Sequence, residues 1–280
     1  MLNNRKKTER NVAKFLVAIA LILTLLFSNS ISAVAATNPS QLTEAELQEL
    51  QEVFEEALTA SNKGDFVKAE ELWSQLIERL PDNPALWSNR GNIKVAQNQL
   101  EAALADYEKA IELAPYAPDP YLNRGIVYER LEDWEKAIAD YNRVLEIDPE
   151  DPIAYNNRGN AAGGNGEWER AIADYQKAFE LVPQYAFARG NYALALYQIG
   201  DREKAIKTMK DLVRKYPSFA DMRAALTACL WEDGKRGEAE SNWVAAVGLD
   251  PRYQDLEWVV KIRRWPPEVA NALEKFLKLE

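Results

Sequence analysis

Apolar residues recur along this chain at two nested intervals. Over short stretches they fall three and four positions apart, the spacing of one helix face. Trp134, Ala137, Ile138, Tyr141, Val144 and Leu145 make one such stripe, and Tyr121, Gly125 and Tyr128 make a shorter one before it. Over longer distances the pattern returns every 34 residues: prolines stand at 81, 115, 149, 183, 217 and 251, and alanines at 69, 103, 137, 171, 205 and 239. Four positions after each alanine comes a large side chain, Trp73, Tyr107, Tyr141, Tyr175, Met209 or Trp243. The interval defines six units without insertion or deletion: 50–83, 84–117, 118–151, 152–185, 186–219 and 220–253. Each unit predicts two helices. The alanine lets them cross closely and the large residue fills the space beside it. The proline ends the second helix, because it lacks an amide hydrogen and biases its predecessor away from helical backbone. Gly64, Gly166, Gly200 and Gly234 occupy the turn between helices, where left-handed backbone suits glycine. A repeat of this length predicts an all-α solenoid of stacked helix pairs.

Trp87, Gly91, Ala103, Tyr107, Ala110 and Pro115, with their counterparts in units three and four, resemble the signature of the tetratricopeptide repeat (TPR). The resemblance covers 50–253. It implies a right-handed superhelix of antiparallel helix pairs whose first helices line a concave groove for an extended peptide or a partner's helix. Units five and six depart from the signature, with Arg189 and Arg223 at the fourth position and Arg202 and Arg236 at the seventeenth. Those pairs are expected to splay differently or to meet a partner.

By the same resemblance, positions 2, 5, 9 and 12 of each unit face the groove. Among them are Phe54, Leu58, Val95, Glu129, Ala224, Ala228 and Trp231. The candidate peptide-binding residues from this set are Asn92, Leu122, Ile126, Asn160, Phe187, Leu194 and Tyr197. Asn89, Asn123, Asn157 and Asn191 join them as a ladder at the sixth position. Carboxamides both donate and accept, so such a row can bond a peptide main chain whatever its side chains. The alternative for the ladder is a purely structural role. A carboxylate-gripping arrangement is not expected, because Ser88, Ile153 and Asn157 stand where the resemblance would require cations.

Composition narrows the chemistry. The 280 residues include no histidine and a single cysteine, Cys229. The commonest general base, the usual zinc ligands and any intrachain disulfide are therefore missing, and no cofactor or metal is expected. The charge of −10 argues against a nucleic-acid partner. Arg90, Arg124 and Arg158 recur with Asp106, Asp140 and Asp174, which predicts ion pairs between helices rather than a charged binding stripe. The run Gly163–Gly164–Asn165–Gly166 lacks the lysine and strand of a phosphate loop; it predicts a shortened or loose first helix in unit four. Glu129 and Asp221 look too isolated for carboxylate catalysis.

The ends carry different signals. Arg5, Lys6, Lys7, Arg10 and Lys14 precede an apolar run at 15–27 and small residues at 28–36. This order predicts a secretory signal at 1–35, cleaved after Ala35, with an uncleaved membrane anchor as the alternative. Removing its net +4 would take the charge from −10 to −14. Residues 36–49 read as a linker and the start of a leading helix, with Thr43 and Glu46 as a capping box. Residues 254–280 read as capping helices, one with Leu256, Val259, Val260 and Ile262, and one with Val269, Leu273, Phe276 and Leu277. This tail also resembles that of secreted TPR proteins of cyanobacteria and chloroplast lumens, implying an extracytoplasmic place, periplasm or thylakoid lumen. The reading is a non-enzymatic scaffold that binds a protein or peptide, without a small-molecule substrate, in assembly of an extracytoplasmic or membrane-associated complex. Membrane contact would come only through the partner or an uncleaved signal. A self-assembling solenoid or a non-catalytic enzyme subunit are the alternatives.

Overall fold

A computed structural model describes residues 43–279, and among these all regular structure is helical. Unit one comprises α1 (Glu44–Lys63) and α2 (Phe66–Arg79), and unit two α3 (Pro84–Ala96) and α4 (Leu100–Leu113). Units three and four are α5 (Pro118–Arg130) with α6 (Trp134–Ile147), and α7 (Pro152–Gly164) with α8 (Trp168–Leu181). Units five and six are α9 (Ala186–Gln198) with α10 (Arg202–Lys215), and α11 (Ala220–Glu232) with α12 (Arg236–Leu249). A 3₁₀ turn at Pro251–Gln254 leads to α13 (Leu256–Lys261) and α14 (Pro267–Lys278). From α1 to α12 each helix packs on its chain neighbours, the arrangement of an α-solenoid. The signal predicted at 1–35 and residues 36–42 of the predicted linker lie outside the described residues.

Local chemistry explains the boundaries. Thr43 and Glu46 form the reciprocal cap of α1: the Glu46 amide donates to Thr43 Oγ1 (3.3 Å) and the Thr43 amide to the Glu46 carboxylate (2.8 Å). The leading helix and the first helix of unit one are thus one continuous element. Pro84, Pro118 and Pro152 open α3, α5 and α7, where the missing amide hydrogen costs nothing. The turn between helices is left-handed in all six units. Glycine supplies it four times, and Asn98 and Glu132 adopt φ of 61° and 59° in units two and three.

Within units two, three and four, the tight crossing is set by a glycine against a tyrosine. A Cβ added at Gly125 would lie 2.6 Å from the Tyr141 ring, well inside contact distance. The Arg–Asp series is structural, as its spacing predicts. Arg124 donates from Nε and Nη2 to both carboxylate oxygens of Asp140 (2.8 and 2.7 Å), and Arg90–Asp106 and Arg158–Asp174 repeat this bidentate geometry. All three aspartates are buried. Arg90 and Arg158 also donate backward, to Ser74 (3.1 Å) and Asn142 (2.8 Å) of the preceding unit, so one guanidinium ties three helices.

One expectation needs correction. α7 is not shortened by its glycines; it runs the same 13 residues as α3 and α5. Gly163 and Gly164 instead make room for rings: a Cβ would meet Trp168 at 2.9 Å and Trp134 at 2.8 Å. Unit six also keeps its inter-unit contact despite the arginine at its fourth position. Trp87 Nε1 donates to the Pro81 carbonyl (2.8 Å) in unit two, and Arg223 Nε donates to Pro217 (2.7 Å) in unit six. The donor changed but the bond remained.

The largest apolar core lies at the C-terminal end, where units five and six merge with the tail. α9 and α11 are buried on nearly every side over 192–197 and 224–231, as helices apolar all round must be. The layer that covers them is the tail. α14 packs along α11 and touches α9, with Trp265 against Asp221 at the start of α11 and Phe276 edge-on to Trp231 at its end. Burying each large apolar side chain of α14 contributes roughly 1.5–3 kcal/mol. α13 does less capping than its sequence suggests: Val259 is buried, whereas Val260 and Ile262 are exposed.

Candidate partner-binding groove

The first helices α1, α3, α5, α7, α9 and α11 supply the wall that the sequence assigns to the groove. Its two halves differ. In units one to four most inward positions remain accessible: Phe54, Leu58, Asn92, Ile126 and Ile153 are exposed, although Ser88, Asn156 and Gly163 are buried. In units five and six Leu194 (5% exposed), Tyr197 (2%), Ala224, Ala228 and Trp231 share one core with Trp265, Val269, Leu273 and Phe276 of the tail. The expectation of one continuous open channel is therefore corrected. Leu194 and Tyr197, named as peptide-binding, are sealed beneath α14, because two adjoining helices with apolar inner faces require a covering layer.

The asparagine ladder divides at the same place. The carboxamides of Asn89 and Asn123 are half-buried and make no hydrogen bond among the described residues. Asn157 accepts from Asn156 (3.2 Å). Asn191 is fully engaged, donating to Asn156 (3.1 Å) and Asn160 (3.2 Å). Asn92 and Asn160 each accept a buried hydroxyl, from Tyr107 (2.7 Å) and Tyr175 (3.0 Å). Leu122 is half-buried against the Ala137–Tyr141 cluster. Phe187 is 60% exposed and stands edge-on to Phe219, with centroids 5.4 Å apart.

Unit three breaks the tyrosine–asparagine pattern instructively. Ile126 occupies the position of Asn92 and Asn160, so the buried Tyr141 hydroxyl has no amide to meet. It donates instead to Glu129 Oε1, one turn along, at 2.5 Å. Desolvation raises the Glu129 carboxyl to about 7, opposed by the Tyr141 hydrogen bond and by Arg264. Glu129 is thus the substitute acceptor for the Tyr141 hydroxyl.

Asp221 is the residue whose role the sequence concealed. It is 5% exposed, and its Oδ1 accepts from Tyr253 Oη (2.7 Å), Arg263 Nε (3.0 Å) and Trp265 Nε1 (3.0 Å), while Arg263 Nη2 lies 3.0 Å from Oδ2. Arg264, between two of these donors, turns the opposite way. Its backbone is left-handed (φ 53°), its guanidinium lies 5.3 Å over the Trp134 ring, and Nη1 donates to the Glu129 carbonyl at 2.9 Å. The tail thereby reaches from unit six back to unit three.

Family models described as "TPR repeat" match residues 91–132 and 130–166, and one described as "Tetratricopeptide repeat" matches 164–229. Residues 91–229 carry tetratricopeptide repeats. Among solved structures, a TPR protein from Parabacteroides merdae is 24% identical with a TM-score of 0.66, covering 83% of this chain and 98% of its own. YrrB, described as a TPR protein with an unusual peptide-binding site, is 24% identical with a TM-score of 0.53 and coverages of 65% and 94%. A chain of the APC/C hetero-tetramer Cut9–Hcn1 is 16% identical with a TM-score of 0.64, covering 81% of this chain and 43% of its own. At these identities the likeness is one of fold. No curated protein matches the chain.

TPR units generally mediate protein–protein contact. In this TPR array the four N-terminal units present their inner wall to solvent, and the last two turn theirs inward onto the tail. Cys229 lies inside that TPR core, 1% exposed, with its thiol raised by burial. Among the described residues no helix is long and apolar enough to cross a membrane.

Proposed function

We propose that the chain is a non-enzymatic scaffold that holds an extended or helical segment of another protein on the inner wall of units one to four. The observation that carries this reading is the pair Asn89 and Asn123, whose carboxamides are uncommitted beside the exposed Ile126. A backbone running past them would gain main-chain hydrogen bonds at two successive units, while Ile126, Leu58 and Phe54 offer apolar contact. Mature charge and wall composition favour an apolar or mildly basic segment over a nucleic acid or an acidic one. A partner that bonds both amides would lose about 1 kcal/mol for each one removed. Asn89→Ala with Asn123→Ala is therefore expected to reduce cross-linked recovery of partners from the native compartment by about ten-fold or more, with the unfolding midpoint unchanged. Equal recovery would return the ladder to a structural role.

The setting we propose is extracytoplasmic, in assembly of a larger complex. It is supported by the order of basic, apolar and small residues in 1–36. N-terminal sequencing of the protein from its native envelope fraction is expected to begin at Ala36; a chain beginning at Met1 in the cytoplasm would overturn this placement.

A further inference from the structure

We infer that α14 is a displaceable internal ligand of the inner wall of units five and six, standing in for an amphipathic helix of a partner led by a basic–aromatic segment. The inference extends the partner-binding reading of this wall to its covered half. Three observations meet there. The tail lies on first helices, the same wall that is open in units one to four, so its seat is continuous with the candidate groove. Its manner of binding is that of a helix in a groove: Val269, Leu273 and Phe276 give an apolar face at helical spacing. The lead-in Arg263–Arg264–Trp265 carries the polar recognition, through Asp221, the Glu129 carbonyl and Trp134.

A further observation is a defect in the fit. Among the described residues the Tyr197 hydroxyl is buried without a hydrogen-bond partner, and an orphaned buried donor calls for an explanation. It lies beneath α14, in one core with Leu273 and Phe276, and α14 offers it no acceptor. Arg264 adds a second cost, since a side chain larger than glycine is held in left-handed backbone at the hinge of the tail. A permanent wall would not be expected to carry both. A partner helix with the same apolar spacing and an acceptor opposite Tyr197 would match the seat better than the tail does. Asp221 then reads the cation and the indole that precede the helix, and the partner's lead-in is basic rather than acidic.

The probe is a fluorescent synthetic peptide of residues 263–278, titrated into the full-length chain and followed by anisotropy, with hydrogen exchange of 267–278 measured in parallel. Wild type is expected to bind weakly, because its own tail competes at high effective concentration. Arg264→Ala removes the contacts to unit three without touching the apolar seat, and is expected to bind about ten-fold more tightly and to speed exchange across α14. Tyr197→Phe removes the orphan hydroxyl and is expected to do the reverse, slowing exchange about five-fold and weakening peptide binding. A folded Arg264→Ala chain that neither binds the peptide nor exchanges faster would overturn the inference, as would Tyr197→Phe loosening α14. Asn89 and Asn123 play no part in this assay, so its failure leaves the open-wall reading standing.

Discussion

Asp221→Ala is expected to destabilise the chain by about 3–5 kcal/mol, the usual cost of removing one member of a buried charged network. The carboxylate accepts from three different side chains, Tyr253 at the end of unit six and Arg263 and Trp265 of the tail. Without it the Arg263 guanidinium, the Trp265 indole N–H and the Tyr253 hydroxyl lose their shared acceptor. Asp221 also lies in the first turn of α11, where a negative charge favours the helix. Urea denaturation followed by tryptophan fluorescence would give the loss directly, since Trp265 is a member of the network. Asp221→Asn is expected to cost less, because an amide oxygen still accepts. Equal stability of wild type and the alanine variant would mean that the tail is held by apolar contact alone.

The second large effect is a pH dependence centred on Glu129. Its folded carboxyl sits at about 7 against an ordinary 4.5. A raised acid binds its proton more tightly in the folded state, so folding is favoured below the unfolded value and this advantage is lost as pH rises from about 4.5 to 7. A shift of this size corresponds to about 3 kcal/mol. The chain has no histidine to obscure the window, and Asp140, also raised by desolvation, would add in the same direction. Urea midpoints at pH 5 and pH 7.5 are expected to show wild type weaker at the higher pH. Glu129→Gln keeps an acceptor for the Tyr141 hydroxyl but cannot ionise, and is expected to flatten the profile. An unchanged slope in that variant would place the titration elsewhere.

The helix pairs, their boundaries and the Arg–Asp ties were legible because they depend on contacts within 16 residues, repeated at a fixed interval. Such contacts print themselves on a sequence as periodicity. The course of the tail depends on single contacts spanning 42, 44 and 135 residues, which occur once and leave no period. One local signal did point to it. α9 and α11 read AFARGNYALALYQ and ADMRAALTACLWE, apolar around most of their circumference, whereas α3 carries Ser88, Asn89, Asn92 and Lys94. A first helix with apolar residues on its inward face as well as its packed face needs a second cover. Likewise Ile126, standing between Asn92 and Asn160 at the same repeat position, foretold that Tyr141 would seek another acceptor, although not that the acceptor would be Glu129.

A helical-repeat array ordinarily behaves as a spring, its pitch opening and closing through small adjustments at every joint. Here the return of Arg264 from the tail beyond the sixth repeat to the third bridges that spring over its last four coils. While the tail is seated, elastic give would be greatest in the first two repeats; release of the tail would spread it along the whole array.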